Sequence, residues 1–184
     1  MTSLLTRKAA ALMVAAALLA PAAAEATQRP DSTLFNGRDI GCTGADIGAI
    51  ANHYAVPTPI LYTLLNVEGG SIGTVSRNTD GSFDHGPMQI NSVHFDEIHR
   101  ITGLSAAQLR QKLVHDGCWN IGIGAWLFSR HWFRTGDFWT AVGNYNSKTP
   151  HKHARYVRKV VRAAQELYGA GVFNPQVPTK PMGK

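Results

Sequence analysis

Leu61, Leu64, Leu65 and Glu68 are separated by steps of three and four, and Gly69 and Gly70 follow directly. On a helix that spacing puts all four side chains on one face, so a carboxyl group points where leucines point. A solvated charge has no need of that position. Burial disfavours the charged form, and the negative end of the helix dipole, at the C-terminus where Glu68 sits, disfavours it again. The chemistry this predicts is general acid catalysis by a carboxyl that keeps its proton near neutrality. The competing reading is a helix whose last residue frays outward and leaves Glu68 in water.

Further along stand Asp84-His85-Gly86-Pro87-Met88-Gln89-Ile90 and, much later, Gly143-Asn144-Tyr145-Asn146. Glu-Gly-Gly, then Gly-Pro-Met-Gln-Ile, then Asn-Tyr-Asn, in that order, resembles the three signature segments of the soluble lytic transglycosylase family, which adopts a lysozyme-like fold. The resemblance extends from about Cys42 to Leu167. Residues Asn120 to Trp126 and Trp139 to Gly143 further resemble the small exported members associated with secretion, conjugation and pilus machines.

The resemblance implies that Glu68 is the single catalytic acid and base. It also implies that Met88 and Gln89 line a sugar groove, that Tyr145 hydrogen-bonds the glutamate, and that Asn146 helps hold substrate beside it. Each has a plain rival: Met88 as core filler, Gln89 as a surface amide, Tyr145 as a core ring, Asn146 as a helix cap. Two residues depart from the family pattern. Gly69 stands where a serine is usual, and Pro87 where a leucine is usual.

The implied substrate is the glycan strand of peptidoglycan. The acid protonates the oxygen between N-acetylmuramic acid and N-acetylglucosamine, and the substrate's own acetamido group stabilises the cationic centre, so no second enzyme carboxylate is required. The ionised glutamate then takes a proton from the muramyl C6 hydroxyl, which attacks C1 and closes a 1,6-anhydro ring. Trp119, Trp126, Trp132 and Tyr156 are available to line a groove, although large aromatics more often fill a core. Two other readings stay open: a hydrolytic lysozyme using Asp80 or Asp84 as a second carboxylate, and a wall-binding or assembly module that has lost activity.

The elements that must position these residues are mainly helical. Helices are expected from about Gly44 to Tyr54, from Pro59 to Glu68 with Thr58 as cap, and from Ser105, which forms a capping-box pattern with Gln108, to Leu113. A strongly apolar helix is expected over Asn120–Phe133, a short one started by Asp137, and a last one over Lys152–Tyr168 with Tyr156, Val160, Ala164 and Leu167 facing inward. Residues 70–86 are turn and short-strand formers, with a hairpin expected around Asp80-Gly81; Met88 to His99 regains helical spacing. The expected fold class is therefore mainly α (α+β), a lysozyme-like domain over residues 42–168 with a small loop or β lobe.

The chain has 184 residues. Residues 1–24 read as a cleaved secretory signal: Arg7 and Lys8 precede the short apolar run Ala9–Ala20, and Ala22-Ala23-Ala24 supplies a cleavage site. Loss of Arg7 and Lys8 lowers the charge of the full chain from +6 to +4. Residues 25–41 read as an irregular lead-in and 169–184, with Pro175, Pro178 and Pro181, as a disordered tail. Two cysteines in an exported chain favour a disulfide between Cys42 and Cys118, and the expected location is the periplasm. A monomer is expected, with transport-machine proteins as candidate partners. The histidines match no tight zinc spacing, so neither metal nor cofactor is expected. Mild basicity without a motif gives no support for nucleic acid.

Overall fold

The protein is described by a computed structural model covering residues 32–169 and 172. The proposed signal segment and nearly all of the proline-bearing tail lie outside the described residues. Two short strands, β1 (Leu34–Phe35) and β2 (Arg38–Asp39), pair antiparallel through Asn36-Gly37. Asn36 and Gly37 both take positive φ, as a two-residue hairpin turn of this kind demands. The described end of the stretch expected to be irregular thus holds a hairpin over 34–39, and the Asn-Gly pair was its signal.

Helix α1 spans Gly44–His53, with the hydroxyl of Thr43 accepting from the Asp46 amide, and α2 spans Thr58–Glu68. Pro57, not Thr58, is the residue that caps α2; Thr58 is already helical and Pro59 follows in the first turn, where its missing N–H costs nothing. Strands β3 (Val75–Arg77), β4 (Phe83–His85) and β5 (Ile90–Asn91) form a small antiparallel sheet in sequence order, Val75 opposite His85 and His85 opposite Ile90. Met88–His99 is not one helix. It contains β5, a 3-10 turn over Ser92–His94 and the start of α3 (Phe95–Thr102), because Ile90 is committed to the sheet and the Asn91 side chain caps the turn.

Helix α4 (Ala106–His115) opens with the complete Ser105/Gln108 capping box. Helix α5 (Gly117–Thr135) is capped by Asp116 and α6 (Phe138–Asn146) by Asp137; α7 (Pro150–Tyr168) closes the fold. Helix α5 is the central element, packing on α1, α4 and α6, while α7 packs on α2 and α6. Phe128 and Trp132 of α5 join Phe138 in an aromatic cluster at its C-terminal end. At the α6–α7 crossing a Cβ on Gly143 would come within 2.1 Å of His153 Nε2, so this glycine makes room for the His153 ring against α6.

A disulfide joins Cys42 to Cys118, Cα–Cα 4.7 Å, tying the chain before α1 to the first turn of α5. His85 and His131 are buried, and burial pushes His131 down to about 4 and lowers His85 too. Both rings are thereby neutral near pH 7. No helix among the described residues is long and apolar enough to cross a membrane. The architecture is mainly α with a three-stranded lobe inserted after α2, the lysozyme-like class the sequence predicts.

Candidate active site

The end of α2 and the two glycines after it are shaped by different demands. Gly69 caps the helix at φ 72, in the left-handed region that any side chain makes costly. Gly70 is excluded from bearing a side chain for another reason: a Cβ there would lie 2.1 Å from the Gly86 carbonyl oxygen. The glycine found where the family has serine is thus the residue that the helix terminus prefers. Glu68, just before it, is partly buried and looks into an open cleft of about 400 Å³ between the β3–β4 hairpin and the N-terminal half of α7.

The phenol of Tyr156, on α7, donates to Glu68 Oε1. One turn later on the same helix, Lys159 Nζ donates to the Val67 carbonyl at 2.7 Å. From the opposite side, Arg38 of β2 donates to the carbonyls of Gly70 at 2.5 Å and Leu65 at 3.3 Å. The negative end of α2 is therefore covered by two cations, which oppose the contribution expected of the helix dipole. The Glu68 carboxyl is pushed up to about 7 by desolvation, against the Tyr156 hydrogen bond and the Lys159 charge, with the Asp84 charge adding to the rise. The carboxyl is poised to exist in both protonation states near neutral pH, as a group that must give and then take a proton requires.

The turn carrying the second motif is fixed from below by Asn120, a fully buried amide on α5. Its Nδ2 donates to the carbonyls of His85 at 2.8 Å and Leu113 at 2.9 Å, and its Oδ1 accepts from the Met88 amide at 2.8 Å. Pro87 occupies the second position of a turn closed by the Gln89 amide on the Gly86 carbonyl at 3.1 Å, where a fixed φ is favourable and no N–H is called for. Gln89 itself takes φ 47, a conformation uncommon for a side-chain-bearing residue, and its Nε2 donates to the Gly86 carbonyl at 2.8 Å.

The sequence-predicted residues are distributed unevenly. Glu68, Gln89, Tyr145 and Asn146 all line the cleft. Met88 does not: it is fully buried in the core, and only its backbone serves the site. Tyr145 does not bond the glutamate. Its hydroxyl donates to the Met88 carbonyl at 3.3 Å and its ring stacks on Tyr156, centroids 6.4 Å apart, so the phenol on α7 takes the place expected for the one on α6. Trp132 is core, Trp126 lies under the Arg130 guanidinium and Trp119 under Lys112, and none of the three lines the cleft. The hairpin wall is instead polar: Asp84 accepts from Asn78 at 2.9 Å and Asn91 at 2.7 Å, and Ser82 donates to Asp80 at 2.7 Å.

Residues 46–168 match the family described as Transglycosylase SLT domain. The chain belongs to that family. Among relatives of this SLT protein, invasion protein IagB of Salmonella typhimurium is 33% identical over 121 residues, spanning 63% of this chain and 72% of IagB. Protein IpgF of Shigella flexneri is 28% identical over 116 residues, 62% of this chain and 71% of IpgF. A peptidoglycan-binding-like protein of Escherichia coli O157:H7 is 31% identical over 101 residues, 52% of this chain and 59% of that protein.

The SLT match begins after Arg38, Cys42 and the hairpin, although Arg38 clasps the end of α2 beside Glu68. Sequence reasoning missed Arg38, Lys159 and Asn120 as supports of the glutamate and its neighbouring turn. Asn120 carried a signal, a lone amide within an apolar helix, whereas Arg38 sits in the stretch that reads as lead-in and Lys159 falls outside the inward-facing set of the last helix.

Proposed function

We propose that this SLT protein is a peptidoglycan lytic transglycosylase that cleaves the β-1,4 bond between N-acetylmuramic acid and N-acetylglucosamine and leaves 1,6-anhydromuramyl ends. What carries the reading is the state of Glu68: a carboxyl at the floor of a polar cleft, pushed up to about 7 by burial and held in place by a phenol. Its proton passes to the glycosidic oxygen, N-acetylglucosamine departs as the alcohol, and the muramyl acetamido oxygen stabilises C1. The carboxylate left behind is stabilised by the Tyr156 phenol and the nearby Lys159 ammonium. It then accepts the C6 hydroxyl proton as O6 attacks C1, which restores the acid and consumes no water. Gln89, Tyr145 and Asn146 line the same cleft and are assigned to holding the sugars.

One observation favours a second reading. Asp84 lines the cleft, and both its carboxylate oxygens are held by amides, as a fixed electrostatic or nucleophilic partner of the acid would be. Mass spectrometry of purified peptidoglycan digested by wild type and Glu68→Gln separates the two. Anhydro ends, lighter by one water than reducing ends and absent with the variant, are expected; reducing ends would make the protein a muramidase, and no release by wild type would leave a binding module.

The setting we assign is the periplasm, reached through the signal pattern of residues 1–24. Relatives named as an invasion protein and as a peptidoglycan-binding-like protein support a role in opening the wall locally for a secretion, conjugation or pilus machine.

A further inference from the structure

The two walls of the cleft carry opposite charge. Asp80 and Asp84 stand on the hairpin side, and Lys152 and Arg155 on α7 stand on the other. Lys152 reaches far enough across for its charge to help hold Asp80 low, after the hydrogen bonds from Ser82. Of the many cations on α7, only these two line the cleft; both are exposed, and neither joins an ion pair among the described residues. Three residues apart on a helix, their side chains are neighbours on one flank, about 4.5 Å apart along the axis. The catalytic acid needs neither of them, and a neutral sugar offers them nothing to pair with.

Muramyl sugars carry a short peptide on their lactyl group, and that stem holds several carboxylates. A stem leaving the cleft toward the hairpin would meet Asp80 and Asp84, and one leaving over α7 would meet two unpaired cations. We propose that Lys152 and Arg155 seat carboxylates of the peptide stem, so that the protein recognises the stem together with the glycan. This rests on the glycan reading of the cleft given above. The interaction is solvent-exposed, so it contributes modestly and is screened by salt.

The test is calorimetric titration of the full chain carrying Glu68→Gln, so that ligands stay intact, with and without Lys152→Gln/Arg155→Gln. Three ligands are compared: a peptidoglycan tetrasaccharide with stems, the same sugar stripped by an amidase to free lactyl carboxylates, and neutral chitotetraose. The expected result is a loss of about tenfold in affinity for the stemmed ligand against less than twofold for chitotetraose, with the difference vanishing at high salt. Lys152→Arg/Arg155→Lys, which keeps the charges, should retain binding of the stemmed ligand. Equal loss for chitotetraose, or no loss for the stemmed ligand, overturns the proposal. A loss on the stripped sugar as large as on the stemmed one moves recognition to the lactyl group and overturns it as well. If the parent binds none of the three, the glycan reading of the cleft falls and this proposal falls with it; unaltered binding in the charge-removed variant sinks the stem proposal alone.

Discussion

Tyr156 on α7 donates its phenolic proton to Glu68 on α2, across 88 residues of sequence. The bond favours the ionised carboxyl and opposes the rise that burial causes. In Tyr156→Phe the glutamate should therefore titrate higher than in wild type and lose its fixed orientation. Steady-state assays on purified peptidoglycan should show kcat reduced about ten- to hundredfold, the worth of one hydrogen bond to a charged group, with the fall of rate at high pH displaced upward. Tyr145→Phe, which removes a bond to the Met88 carbonyl only, should leave the position of that limb unchanged.

Lys159 acts on the same carboxyl from one turn away, and its charge lowers the Glu68 pKa. Lys159→Met removes that charge while keeping a stem of similar length. The high-pH limb of the pH–rate profile should again move upward, and the variant should lose less in kcat than Tyr156→Phe because the carboxyl keeps its direct donor. An unshifted profile would reduce Lys159 to a helix-end clasp.

A buried acid of this kind should burden the fold. The unfolded Glu68 titrates near 4.5 and the folded one at about 7, so between those pH values the folded state binds more protons and stability declines as pH rises. The loss is complete above pH 7 and amounts to roughly 3 kcal/mol at about 1.4 kcal/mol per unit. Glu68→Gln should abolish this slope and be more stable than wild type at pH 8, and no less inactive for it; denaturant titrations at pH 5 and pH 8 measure both.

The two glycines after α2 should respond differently to alanine. Gly70→Ala drives a Cβ into the Gly86 backbone, where no flexible side chain can yield, and should destabilise by about 2–4 kcal/mol while displacing the second-motif turn. Gly69→Ala meets only an ordinary contact with the Asn66 carbonyl oxygen at 4.0 Å and the conformational strain of φ 72, so about 1 kcal/mol is expected. Thermal melts of the pair decide it.

Asn120 holds three backbone groups beneath that turn. Asn120→Leu fits the apolar helix but strands the Met88 amide and the His85 and Leu113 carbonyls, a loss expected at about 3 kcal/mol or more. Amide hydrogen exchange should show Met88 deprotected well before the core of α5.

What was legible in the sequence is what local patterning writes. The leucine face that carries Glu68, the capping box at Ser105 and the turn at Asp80-Gly81 each reside in a few neighbouring residues, and each was found. Cleft side chains such as Gln89 and Asn146 came through motif order. What failed was pairing across distance. Tyr145 and Tyr156 are both phenols on amphipathic helices, and only the packing of α7 against α2 decides which one meets the carboxyl. Met88 misled because its motif position reports a need for its backbone, which Asn120 and Tyr145 both grip, while its side chain fills core. The cover on the end of α2 was out of reach for a related reason: Arg38 and Lys159 arrive from opposite ends of the chain to meet it.

The clasp of Arg38 on the end of α2 bears on how this protein should be produced. A fragment trimmed to the matched family boundaries, residues 46–168, would discard Arg38 and the strand pair that presents it, and would orphan the thiol of Cys118. Such a fragment would leave the Leu65 and Gly70 carbonyls without their guanidinium cover beside Glu68 and carry a sulfhydryl free to dimerise, so a weak or erratic preparation would reflect the cloning boundary and not the intact protein.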